Sequence, residues 1–466
     1  MTGNEQETDC VGRVLVLDIV GIQTEHLTSG HAPNLAELLD GKLTAPLRPP
    51  FPATTIPVQT TLSTGLSPDA HGDVSNGEYD RERDSVALWE RDREARTRLW
   101  EAASEDAGLT TGVLFFQHLI GTTADIAVTP SPIEDEDNNI LEMNCWTNPD
   151  GFYNELQEEY GHFPLHNYWG PTANEQSSEW ILTAAREAID RYDPDLLWVY
   201  IPALDYDPQR HGPEAEETFK AVTAIDMLVG EFLDWLRSGD RWSETAINIL
   251  GEYGFHAVDT PVFPNRALRD AGLLTVHDDG TGGKEVDLAD STAFALVDHQ
   301  IAHVYTDTPE EVEQAVESLT GVDTVLREKG KVEYGIDHPN AGECVLVAKP
   351  NAWFQYYWWH NHDNAPYYAD AMDIHSKPGY DPCALFLGEQ GLVSLDPMKI
   401  SGSHGRIDAN GFYGLGGPAV PELTSHIVDE NIGEAVDARA VAPTIADLLE
   451  ITDALTLSFE HSSLLQ

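Results

Sequence analysis

Phe51-Pro52-Ala53-Thr54-Thr55-Ile56-Pro57-Val58-Gln59-Thr60-Thr61-Leu62-Ser63-Thr64-Gly65 is the stretch that decides the fold. Pro52 and Pro57 bracket a turn, and an apolar, helix-competent run follows. Thr54 or Thr55 therefore falls at or next to the first residue of a helix. That end carries unpaired N–H groups and the positive pole of the helix dipole, which suits an anion. A hydroxyl at this position either caps the helix or acts as a nucleophile aimed at a phosphorus or sulfur centre.

The chain continues as Leu66-Ser67-Pro68-Asp69-Ala70-His71-Gly72-Asp73-Val74-Ser75-Asn76-Gly77. Thr55 precedes Thr64-Gly65 by nine positions (64 − 55), and Asn76 lies twenty-one beyond it (76 − 55). This spacing resembles the nucleophile region of the alkaline phosphatase superfamily, in its type I phosphodiesterase/nucleotide pyrophosphatase branch. The resemblance implies Thr55 as nucleophile and Asn76 as a group that helps hold a phosphate oxygen. Thr54 is one residue out of register.

The chain has 466 residues, enough for a large core and more than one domain. It carries 80 Asp+Glu against 26 Lys+Arg, a net charge of −54, with the acids scattered along its length. Ample apolar content argues against disorder. An acidic, solvated shell suited to a salt-rich, halophilic cytoplasm is the better reading, since salt screens the self-repulsion. The same charge repels duplex nucleic acid and anionic lipid, so neither is an expected partner. Cys10, Cys145, Cys344 and Cys383 are far apart, form no CxxC pair and read as reduced intracellular thiols. The acidic residues 1–9 do not read as a signal peptide, and no apolar run is long enough to span a membrane. The expected location is cytoplasmic.

Residues 14–20 (VLVLDIV) form a near-continuous apolar run that fits a buried parallel strand. Further strands are expected at 111–116, 196–202 and 245–250, alternating with helices at 34–38, 96–107, 177–192 and 213–237. That alternation implies an α/β fold with a mainly parallel central sheet flanked by helices, and function at the strand C-terminal ends. The acidic stretch 130–168 reads as an irregular loop or lid. After Gly254 the pattern changes: a connector at 265–274, a hairpin around 277–285, strands at 293–306 and 344–350, and a helix at 309–319. The expected division is a core of 1–264 and 351–466 with a small α+β cap of 265–350. Residues 441–451 (VAPTIADLLEI) resemble the helix that closes this superfamily's core.

A two-metal phosphohydrolase places carboxylates and imidazoles around the nucleophile. Zinc suits mixed His/Asp ligands, and manganese or magnesium suits oxygen-rich sets. The resemblance implies one or two such ions, but its ligand motifs are altered. Counting back from Gly212-Pro213, Asp205 matches the family's Asp, and Gln209 stands in place of a His. Glu252-Tyr253-Gly254 stands where the family has Asp-His-Gly. Val20 occupies the place of an Asp before Gly21, with Asp18 two residues earlier on the same side of the strand. His404, in Ser403-His404-Gly405, is the best-matched histidine. The expected ligands are Asp205, Glu252, His404, Gln209 and Asp18. His211 and Arg406 are secondary candidates, each with an ordinary surface reading beside it. The aromatic-rich segment 353–363, with its His360, His362 and Asp363, reads as either a core patch or the wall of a pocket. Downstream of it, Asp373 and His375 are further candidate donors.

The leading expectation is a metal-dependent hydrolase of small phosphate esters. The alternatives are an anion-binding or scaffold protein that keeps the fold without hydrolysis, and an intramolecular phosphotransferase of the mutase kind.

Overall fold

The computed structural model describes residues 11–89, 97–135, 140–389, 392–420 and 435–465. Cys10 and the start of the chain lie outside the described residues.

A nine-stranded sheet runs through the molecule in the order Val436–Asp437, Leu43–Arg48, Gly411–Gly416, Thr245–Gly251, Arg13–Ile19, Leu196–Ile201, Thr111–Leu114, Ile126–Pro130 and Cys145–Asn148. Its five central strands, from Thr245–Gly251 to Ile126–Pro130, are parallel. Gly411–Gly416 runs antiparallel to both neighbours, and Cys145–Asn148 is an antiparallel edge. The central strands are largely apolar because helices cover the sheet, so almost every strand position is buried. Arg13–Ile19 is buried at every residue.

Two helix groups flank the sheet. One comprises Pro33–Leu38, Gln176–Tyr192 and Glu216–Arg237; the other comprises Thr55–Thr64, Leu99–Ala107 and Val441–Leu448. Leu99–Ala107 starts three residues later than expected at residue 96, which itself lies outside the described residues. The stretch 130–168 is more regular than its acidity suggested: Cys145–Asn148 closes the sheet edge and Phe152–Tyr160 is a helix.

A second sheet is antiparallel, in the order Ala293–Asp298, Ile301–Thr306, Cys344–Ala348 and Val322–Leu326. The single strand-like run expected at 293–306 is in fact a hairpin, broken by a tight turn at His299-Gln300. His299 takes the left-handed conformation there, with φ 57°. This sheet has its own core, and Tyr356, Tyr357, Trp358 and Trp359 belong to it. All four are fully buried, so that part of the aromatic run packs in a core and does not wall a pocket.

Candidate active site

Three neighbouring parallel strands end side by side, and each delivers a polar group or its replacement. Arg13–Ile19 leads to Val20-Gly21, Leu196–Ile201 to Asp205, and Thr245–Gly251 to Glu252-Tyr253. The C-terminal edge of a parallel sheet is where such folds place their chemistry. Thr55 is the first residue of the helix Thr55–Thr64, every residue of which is buried. Thr54 sits before it in extended conformation, and its hydroxyl makes no capping bond and has no partner among the described residues. The cap comes from elsewhere: Asn76 Oδ1 accepts the Ile56 amide at 2.9 Å.

Thr55 Oγ1 is 3.0 Å from the Tyr253 hydroxyl. Tyr253 donates to Asp205 Oδ1 at 3.1 Å, so the Thr55 hydroxyl is the donor to Tyr253. Gln209 Nε2 donates to Asp205 Oδ2 at 2.9 Å, and Gln209 Oε1 accepts from Tyr380 at 2.7 Å. Burial pushes the Asp205 carboxyl up to about 6, against the lowering effect of its hydrogen bonds. Burial also raises the Tyr253 phenol, and the charge of Asp205 adds to that.

His404 stacks on Tyr253 with ring centroids 3.9 Å apart. Its Nδ1–H donates to the Ala53 carbonyl at 2.8 Å, which leaves Nε2 as a bare lone pair. Nε2 lies 3.7 Å from Asp205 Oδ1. Burial holds this imidazole well below its ordinary pKa, so the two do not form an ion pair. The loop carrying His404 closes on the segment after Asp205: a Cβ at Gly402 would lie 2.1 Å from the Pro208 carbonyl oxygen, and glycine removes that clash.

His299 is a site residue that motif matching missed. It lies against His404 (centroids 3.8 Å) and Tyr380 (3.7 Å). Its Nδ1–H donates to Asp298 at 2.8 Å, and its buried Nε2 has no partner among the described residues. Asp298 also accepts from Ser75 Oγ, the Asn76 amide and Asn76 Nδ2 at 3.0, 2.9 and 3.1 Å. Asn76 thus spends its carbonyl on Ile56 and an amide hydrogen on Asp298, and works as a clamp between the helix start and Asp298. The only signal in the sequence was the polar trio Asp298-His299-Gln300 inside an otherwise apolar run.

Asp18 and Glu252 form a buried carboxyl pair, hydrogen-bonded to each other. Gln59 Nε2 donates to Glu252 Oε1 at 2.9 Å, and Gln59 Oε1 is held by the Gln117 amide. Neither Asp18 oxygen nor Glu252 Oε2 has another donor among the described residues, so a proton shared between the carboxyls is what lets the pair stay dry. Burial raises both groups, Asp18 to about 7. Above the ordinary Asp value of 3.8 the unfolded chain loses a proton that the folded chain keeps, so this contribution to stability is full at low pH and falls as pH rises towards 7. Asp18→Asn is expected to flatten that slope: between pH 5 and pH 8 (about 5 and about 8 on either side of the shifted titration), wild type loses about 2–4 °C of melting temperature relative to the variant. Parallel melting curves against pH, at constant salt, count against the shared proton.

The residues as placed do not fit the two-ion centre that the resemblance implies. Both Asp205 oxygens are taken by Tyr253 and Gln209, Glu252 is held by Gln59 and Asp18, and apolar Val20 fills an expected ligand position. Among the described residues no three His, Cys, Asp or Glu side chains could hold an ion together. The secondary candidates make contacts of their own. His211 is at the surface, 3.9 Å from Asp207. Arg406 pairs with Asp408 and Asp323. His360 pairs with Asp270. Asp373 closes a turn by accepting the amides of His375 and Ser376.

Thr55, Asp205 and His299 open onto a cavity of about 280 Å³. Tyr168, Trp169, Tyr200, Tyr206 and Tyr380 line it, together with Asp373 and His375. Among the described residues, no Lys or Arg lines it. Such a cavity suits a flat or apolar group attached to a weakly charged head.

Residues 14–381 match the family described as type I phosphodiesterase / nucleotide pyrophosphatase. An uncharacterized pyrophosphatase/phosphodiesterase of Schizosaccharomyces pombe is 24% identical over 267 residues, which is 55% of this chain and 46% of that protein. Ectonucleotide pyrophosphatase/phosphodiesterase family member 1 of Mus musculus is 23% identical over 271 residues, 56% of this chain and 26% of its own. The matches therefore span less than half the length of these relatives. Among solved structures, murine ectonucleotide pyrophosphatase/phosphodiesterase 5 superposes with a TM-score of 0.60 at 15% identity, covering 97% of this chain and 100% of that one. An inactive variant of it was solved with AMP. Phosphonoacetate hydrolase from Sinorhizobium meliloti, solved with phosphonoacetate, gives 0.59 at 14% identity over 96% of each chain. At these identities the structural likeness speaks for the fold alone.

Proposed function

The chain belongs to the type I phosphodiesterase / nucleotide pyrophosphatase family, and from that premise we propose that it is a phosphoric ester hydrolase in which Thr55 attacks phosphorus. The observation that carries this reading is the placement of Thr55: the first residue of a buried helix, its hydroxyl at the cavity wall and already donating a hydrogen bond. Attack forms a phosphothreonine and expels the leaving oxygen; water then cleaves the phosphothreonine. Of the first three helix amides, that of Ile56 is taken by Asn76 and Pro57 has none, so the Thr55 amide is the one left for a phosphoryl oxygen.

The substrate class follows from charge. A phosphate monoester dianion would meet Asp205, with no Lys or Arg among the described lining residues to offset it. A diester or pyrophosphate ester bearing an aromatic group carries less charge per phosphorus and fits the ring-lined cavity. That the mouse relative was solved with AMP is compatible with a small phosphorylated ligand here. Zinc, manganese and magnesium enter this reading as additives whose effect is measured, because Asp205 and His404, two of the matched donors, lie close to one another. The test is turnover of bis-p-nitrophenyl phosphate in concentrated potassium chloride, with and without each cation. Release of nitrophenol above the blank supports hydrolysis.

A second reading, binding of such an ester without hydrolysis, is favoured by Val20, Gln209 and Tyr253 standing in ligand positions. It predicts saturable binding of a nitrophenyl ester with no product.

The charge of −54 and three buried free thiols support a salt-rich cytoplasm as the setting. Among the described residues no helix is long and apolar enough to cross a membrane. Lowering potassium chloride from about 1 M to about 0.1 M lengthens the Debye screening distance from about 3 Å to about 10 Å. The melting temperature is expected to fall over that range, as read by calorimetry. An unchanged or higher value removes the halophilic assignment.

A further inference from the structure

We propose that Tyr253 takes over the role that a metal ion plays for the nucleophile elsewhere in this family, passing the proton of Thr55 to Asp205. This rests on the reading of Thr55 as nucleophile. The geometry is a continuous donor chain. Thr55 Oγ1–H points to the Tyr253 oxygen at 3.0 Å, and the Tyr253 O–H points to Asp205 Oδ1 at 3.1 Å. The direction is fixed because a carboxylate oxygen accepts from the phenol, which leaves the phenol oxygen to accept from threonine.

The surrounding packing holds the relay in one pose. The Tyr253 ring is fully buried and lies flat on His404, whose own orientation is set by the Ala53 carbonyl. Gln209, in place of a ligand histidine, donates to Asp205 Oδ2 through the side chain and is braced by Tyr380. Thus two of the substituted positions, 209 and 253, both direct hydrogen bonds at Asp205. They read as one coordinated replacement, with each new side chain giving the other a partner.

The step balances. The Thr55 Oγ–P bond forms and the bond from phosphorus to the leaving oxygen breaks, with that oxygen keeping the electron pair. The Thr55 proton moves to Tyr253 as the Tyr253 proton moves to Asp205. In the second half, water attacks phosphorus, and the Thr55 oxygen leaves and recovers its proton by the reverse transfer. The water's hydrogen and the proton taken up by the leaving group exchange with solvent. With no ion on the leaving oxygen, the relay suits esters of acidic alcohols, aryl esters and pyrophosphates above simple alkyl diesters.

The test is Tyr253→Phe, which fills the same buried space and deletes only the hydroxyl. With bis-p-nitrophenyl phosphate, kcat is expected to fall about 100-fold, with KM little changed. In mixtures of light and heavy water, wild type should give a curved dependence of kcat on deuterium fraction, the mark of more than one proton in flight, and Tyr253→Phe should lose that curvature. EDTA should leave the wild-type rate unchanged. A wild-type rate abolished by EDTA and restored by zinc or manganese overturns the relay, as does a Tyr253→Phe rate equal to wild type. A readout without turnover separates this from failure of the hydrolase reading: labelling by an aryl fluorophosphonate, mapped by mass spectrometry. Labelling of Thr55 that needs Tyr253, in a protein with no turnover, upholds the relay and rejects hydrolysis. No labelling and no turnover reject both.

Discussion

Thr55→Ala is expected to lower kcat for bis-p-nitrophenyl phosphate by about 1000-fold or more while leaving the fold intact. Alanine is the best helix former and fits the first helical position. The loss in stability is limited to the hydrogen bond with Tyr253, on the order of 1 kcal/mol. The comparison variant is Thr54→Ala. Its hydroxyl is equally buried but makes no hydrogen bond, so removing it should leave activity close to wild type. The pair of variants therefore tests register as well as chemistry. Equal trace activity in wild type and Thr55→Ala rejects Thr55 as nucleophile. A dead Thr54→Ala beside an active Thr55→Ala moves the role by one residue.

The second large effect is expected in stability, at Asp298. Its carboxylate is fully buried and accepts from Ser75, the Asn76 amide, Asn76 Nδ2 and His299. Burial alone would raise its pKa, but these donors, the His299 bond foremost, outweigh it and hold the group below its ordinary value. Its contribution is therefore complete above the ordinary carboxylate range and is lost as pH falls through the lowered value. Asp298→Ala strands four donors in a dry interior, which should cost about 3–5 kcal/mol. Chemical denaturation in constant high salt measures this. Because Asn76 holds the Ile56 amide, the same variant should also loosen the start of the Thr55 helix and lower kcat. A loss within experimental error of zero would mean that water replaces the carboxylate and that the clamp does not tie the two sheets together.

The two variants differ in what they probe. Thr55→Ala tests the proposed chemistry at a position whose side chain packing tolerates losing. Asp298 is not among the described lining residues of the cavity, yet it accepts hydrogen bonds from Asn76 and from His299, which lines the same cavity as Thr55. A network that serves both sheets makes stability and activity fall together.

Local patterns were enough for much of the architecture. The apolar runs at 14–20, 196–202 and 245–250 could only be strands covered on both sides, and their alternation with amphipathic helices implied a sheet that is parallel at its centre. The prolines around Thr54-Thr55 and the spacing to Thr64-Gly65 marked the helix that starts at Thr55. These signals are short in range: each depends on periodicity or turn chemistry within a few residues. The bonds that define the site are not. Thr55 meets Tyr253 across 198 positions, and His404 meets Ala53 across 351. Read alone, Tyr253 was a missing ligand and Gln209 a poor one; only their convergence on Asp205 gives them a common purpose. His299 was hidden in a run that resembles one strand until the hairpin folds it back, and the aromatic residues after 355 had no partner until the second sheet supplied one. Sequence determined which segments become strands and helices and where the chain must turn, because those depend on neighbours along the backbone. Tertiary structure decided which buried polar atoms face each other, because in a dry interior every donor and acceptor takes the partner that packing brings within reach.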